Sequence, residues 1–171
     1  MSIYWGDLLF LLLAYFPVVL VHELGHVAAG WATGARGAHI RFGDPRARRR
    51  TALGMGPLRI EWHWGLGLWS TGARFWFTHA DPAPWKRLVR ILGGPAASAL
   101  LLLLLLPDGA GEFVWWWRPG LTARQLVQFL ALWLTVVGLV PFRHVDGMPS
   151  DGLQIITLTR ELWRSRRSRA A

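Results

Sequence analysis

Apolar residues gather in three stretches of the chain, and polar positions interrupt each one differently. The first spans residues 3–34, "IYWGDLLFLLLAYFPVVLVHELGHVAAGWATG", with Asp7 near its start and His22, Glu23 and His26 in its second half. The second, 88–106, reads "LVRILGGPAASALLLLLLL" and holds one charge, Arg90. The third, 122–142, opens on Thr122-x-x-Gln125, a capping pattern, and runs to Pro141. Roughly 20 apolar residues rising 1.5 Å each cross the hydrocarbon layer of a bilayer, so all three read as membrane-spanning helices. Pro17 removes a backbone donor and should kink the first. That stretch is too long for a signal peptide and lacks its basic leading region.

The loop between the first two spans, 35–87, has another rhythm. In "LRIEWHW" (58–64), Leu58, Ile60, Trp62 and Trp64 alternate with Arg59, Glu61 and His63, the period of a half-buried strand. "AHIRFG" (38–43) offers a shorter partner, and the Gly- and aromatic-rich "GLGLWSTGARFWF" that follows suits a loop or a further short strand. The expected fold is mainly α: a polytopic integral membrane protein with three or so spans and a small β-hairpin or sheet in the loop after the first. Residues 1–171 read as a single domain, with no internal repeat and no room for an appended soluble domain.

Charge sets the expected orientation. The net charge is +9, with eleven Lys and Arg between residues 35 and 90, six from Arg143 onward, and only Arg118 and Arg124 near the segment between the second and third spans. This asymmetry follows the positive-inside rule and puts the N-terminus outside and the C-terminus in the cytoplasm. "RARRR" (46–50) then reads as an anchor on anionic lipid, and nucleic acid is not an expected partner. "FVWWWRPG" (113–120) reads as an interfacial aromatic belt. Richness in Arg, Ala and Trp suits a bacterial cytoplasmic membrane. The chain has no Cys, so any metal here must be held by His, Asp or Glu.

The chemistry concentrates in "HELGH", 22–26. Helical positions four apart share a face, so His22 and His26 can grip one zinc ion while Glu23 reaches a water beside them. Zinc draws the pKa of such a water towards neutrality, and Glu23 can take its proton and pass it to a leaving amine. The bland reading is a pair of core histidines and a glutamate satisfied by their neighbours. It weakens inside a membrane, where ionisable groups are rare and mark function. Two histidines leave the coordination incomplete, and the candidates for a third ligand are Asp146 and Asp151, each followed by Gly. His39, His63, His79 and His144 have no partner at metal spacing.

An early span ending in HELGH, a strand-bearing loop, "GGPAAS" (93–98) inside the next span and a Pro-then-Asp-Gly segment after the third, in that order, resemble the site-2 protease family of intramembrane zinc metalloproteases. The likeness covers nearly the whole chain. It implies one Zn2+ ion held by His22, His26 and an Asp-Gly aspartate, with Glu23 as catalytic base. Asp146 stands five residues after Pro141, the family's common spacing. Asp151 precedes "GLQIITL", which suits the helix that usually follows, whereas Pro149 interrupts after Asp146. Asp151 is favoured, with Asp146 the alternative. The family's two asparagines are replaced by Ser98 and Gly138, the expected substrate-binding positions.

The expected function is therefore an intramembrane zinc endopeptidase acting on a membrane-embedded or membrane-adjacent segment of another protein. The edge of the 38–64 strand region could receive that segment by strand addition. A non-catalytic, metal-stabilised membrane scaffold of the same fold is the alternative, drawing on Ser98 and Gly138. A zinc transporter would need polar residues along a path, and the second span has almost none. The expected partners are a membrane-protein substrate and the lipid bilayer.

Overall fold

The computed structural model describes residues 5–44, 46–64, 73–106, 121–144 and 147–170, with side chains as far as 167. Four helices and four strands follow one another as α1 (Trp5–Ala32), β1 (Arg36–Phe42), β2 (Arg49–Met55), β3 (Leu58–Trp64), β4 (Ala73–His79), α2 (Pro84–Leu104), α3 (Ala123–Leu139) and α4 (Asp151–Ala170).

The helix ends are set by local chemistry. α1 is continuous through Pro17 and closes at Gly34, whose φ of 83° lets Ala35 N–H reach back to the Gly30 carbonyl at 2.9 Å. Pro84 opens α2, where its missing N–H costs nothing. At the N-terminus of α3 the capping box forms: Gln125 N–H donates to Thr122 Oγ1, and Thr122 N–H donates to Gln125 Oε1 at 3.0 Å. Arg124 and Gln128 of α3 donate to the carbonyls of Leu105 and Leu106 just past α2, tying that end to α3.

α1 and α2 are long and apolar enough to cross a membrane. Their exposed faces are Leu-rich, with Leu9, Leu13, Leu100, Leu103 and Leu104 largely exposed. The third expected span, 122–142, forms a shorter apolar helix of 17 residues. The expected aromatic belt at 113–120 lies outside the described residues.

The loop after α1 holds a larger sheet than the sequence pattern suggests, with strand order β2-β3-β1-β4. β3 pairs antiparallel with β2 (Met55↔Leu58) across a two-residue turn at Gly56 and Pro57, and parallel with β1 (Ala38↔Leu58, Ile40↔Ile60). β4 pairs antiparallel with β1 on the far side (Ile40↔Phe75). The expected contact between 38–43 and 58–64 therefore exists, but in parallel, because the intervening chain makes β2 first. Arg49 and Arg50 of the basic cluster begin that exposed edge strand.

One face of the sheet packs on α1. Ala38, Ile40, Phe42, Leu58 and Ile60 meet Val19 and Val27, with Phe75 and Phe77 of β4 against them. A second cluster joins Ala14 and Val18 of α1 to Leu130 and Ala131 of α3. α1 and α2 cross with their backbones in contact: a Cβ on Gly25 would strike the Gly93 carbonyl, and one on Gly93 would strike the Gly25 carbonyl.

Candidate metal centre

His22, Glu23 and His26 lie on the stretch of α1 buried between the sheet and α2. α4 brings in the third group. Asp151 is its first residue, and Ser150 just before it ties down the preceding loop: Ser150 Oγ donates to the Val140 carbonyl at 2.7 Å and accepts from Phe142 N–H at 3.0 Å. Gly152 is required by the same packing, since a Cβ there would run into the Leu139 carbonyl. Residues 142–144 and 147–150 flank each other, with an isolated antiparallel bridge between Arg143 and Pro149.

In this arrangement Asp151 Oδ2 lies 3.1 Å from His22 Nε2 and 3.4 Å from His26 Nε2. One ligand atom from each of the three residues falls within 4.8 Å of the others, so the cluster could hold a metal ion. Ligands about 2.0–2.1 Å from a tetrahedral zinc ion stand roughly 3.3–3.4 Å apart, close to the two measured separations. Three further features fit a cation. Nitrogen and carboxylate oxygen form a zinc-type donor set. The Nε2 atoms occupy the space over Gly94, where any Cβ would fall on both imidazoles. Glu23 Oε2 is buried beside them and has no hydrogen-bond partner among the described residues.

The far nitrogens of both rings are engaged. His22 Nδ1 is 2.8 Å from Ser98 Oγ, and His26 Nδ1 is 2.8 Å from the Arg90 carbonyl. Phe75 of β4 stacks on the His26 ring, with centroids 4.1 Å apart and planes at 15°. Burial alone would raise the Asp151 carboxyl, but hydrogen bonding to His22 and His26 and their charge override it. The result is about 2, below the ordinary 3.8.

The three groups and Glu23 line a cavity of about 260 Å³. Gly138 forms part of its wall, where a Cβ would stand 3.5 Å from His22 Cε1 and 3.7 Å from Asp151 Oδ2. Ser98 is placed elsewhere: it is wholly buried behind His22 and does not line the cavity. Asp146, the alternative third ligand, lies outside the described residues. His39 pairs with Thr78 and His63 with Glu61, and neither joins the cluster.

Tyr15, His144, Arg74 and Phe75 also line the cavity; the sequence reading set His144 aside for want of a partner at metal spacing and passed over the other three. Tyr15 was within reach of it. With Val19, His22 and His26 it forms the stripe i, i+4, i+7, i+11 of one helix face. His144 and the β4 residues carry no such signal, because their positions come from the bridged segments before α4 and from sheet order. No family model matches the chain, and no curated protein matches it in sequence.

Proposed function

We propose that this chain is an intramembrane zinc metalloendopeptidase of the site-2 protease type, hydrolysing a peptide bond in a membrane-embedded or membrane-adjacent segment of another protein. The observation that carries the reading is the meeting of His22, His26 and Asp151 around one point, with Glu23 in the same cavity and its Oε2 without a hydrogen-bond partner among the described residues. His22, His26 and Asp151 would hold the zinc ion. That ion, when bound, supplies Lewis acidity to a water and to the scissile carbonyl. Glu23 takes the proton of the attacking water and delivers it to the leaving amine. The basic segments facing the cytoplasm keep the N-terminus of α1 outside.

A substrate helix must unwind before its carbonyl is accessible, and an unwound backbone in lipid needs hydrogen-bond partners. The strand edge at the cavity belongs to β4, whose Ala73, Arg74 and Phe75 line it. The edge left open by region 38–64 is β2, on the opposite side of the sheet. Strand addition is therefore assigned to β4 rather than to 38–64.

The test is Glu23→Gln in purified full chain, with bound zinc and hydrolysis of fluorescein-labelled casein measured together. Zinc should stay at one equivalent while turnover falls by about 10²–10⁴-fold, the range for losing a general base. Equal turnover in both proteins ends the reading. Zinc held by a wild-type chain that cleaves neither casein nor single-span model substrates in liposomes identifies the non-catalytic scaffold instead.

A further inference from the structure

Ser98 sits on α2 with no exposed surface, 76 residues from His22 in sequence, yet its hydroxyl meets His22 Nδ1 at 2.8 Å. An imidazole that gives its Nε2 lone pair to a cation keeps its proton on Nδ1, and in a buried site that proton needs an acceptor. For His26 the acceptor is the main-chain carbonyl of Arg90, 2.8 Å away; Gly94 N–H, at 3.2 Å, is the longer contact to the same nitrogen. For His22 the partner on that side of the ring, among the described residues, is a side chain, which mutation can remove. The backbone crossing at Gly25 and Gly93 is what lets α2 reach both rings.

A hydroxyl suits this place because it can reverse its role. Without a cation the proton of His22 can sit on Nε2, facing Asp151 at 3.1 Å, and Ser98 then donates to Nδ1. With a cation the proton sits on Nδ1 and Ser98 accepts it. We propose that Ser98 is a positioning residue of the metal centre, its buried hydroxyl holding His22 with Nε2 turned to the ion. This role rests on the reading of His22, His26 and Asp151 as zinc ligands. It assigns Ser98 to the ligand and not to the substrate.

The experiment uses the full chain in detergent, with zinc affinity measured by competition against a chromophoric chelator and Co2+ as a spectroscopic stand-in. Ser98→Ala removes one oxygen and should weaken zinc by roughly 10–100-fold, the usual loss when a metal-bound histidine loses its partner. The visible Co2+ bands should shift, the metal-free protein should remain folded, and Ser98→Thr should recover most of the affinity. Ser98→Cys, matched in size but a poor acceptor, should behave as the alanine variant does and serves if that variant does not fold. Wild-type affinity and an unchanged Co2+ spectrum in Ser98→Ala or Ser98→Cys overturn the role of Ser98 alone. A wild-type chain that binds no zinc overturns the metal centre, and this role with it.

Discussion

Along the first half of α1, Trp5, Leu9 and Leu13 are 74%, 58% and 67% exposed, whereas in the second half His22, Glu23 and His26 are 7%, 6% and 1% exposed. A water-soluble protein does the reverse. Leaving a Leu in water forgoes about 1.5–3 kcal/mol, and burying an unpaired polar group costs about as much or more. Both penalties change when the surroundings change. In hydrocarbon the bare leucines are at home, and the inner half is tolerable because each imidazole has a partner on α2 and a carboxylate on α4. On the proposed membrane reading one helix is fitted to two environments, and the difference can be attacked from either end.

The largest effect should come from the inner half. Asp151→Ala removes a proposed ligand and should lower zinc affinity by more than the roughly 10–100-fold expected from losing a ligand's hydrogen-bond partner. Asp146→Ala should leave bound zinc unchanged. Elemental analysis of both variants decides, and the opposite pattern would move the third ligand to Asp146.

The outer half is probed by Leu13→Lys. Near the middle of a spanning helix a lysine costs about 2.5–3.5 kcal/mol, while a surface change in water stays within about ±0.5 kcal/mol. Folded yield and midpoint in lipid nanodiscs should fall accordingly, and an unaffected variant would mean that α1 is not lipid-facing there.

The smallest effect concerns the inner half without its ion. Asp151 has a folded value of about 2 against an ordinary 3.8, so its contribution is present above 3.8 and fades as pH falls through 2. Chelator-treated wild type should exceed Asp151→Asn in stability by on the order of 2 kcal/mol at neutral pH, with the gap closing towards pH 2. A gap that does not change with pH would show that the carboxylate is not held by the histidines.

What the sequence revealed follows the range of the interactions involved. His22, Glu23 and His26 were readable because a helix repeats within four residues, and the capping box at Thr122 because it closes within three. Asp151 could be narrowed only to one of two Asp-Gly pairs, since its meeting with His22 is 129 residues long in sequence. Ser98 was singled out, but nothing local says that its hydroxyl meets His22 on α1. β2 was missed because "RRTALGM" has no alternation. All seven of its residues are exposed, and it exists as a strand because the Gly56-Pro57 turn lays it along β3.

The shortness of α3 has a consequence of its own in a bilayer. Seventeen helical residues reach roughly 25 Å, less than the ~30 Å of an average hydrocarbon core. In the proposed membrane setting, thinning of the lipid beside α3 would match it. Because Leu134, Val137 and Gly138 of that helix wall the cavity, such a dimple would bring headgroups and solvent closest to the place where the proposed hydrolysis would consume water.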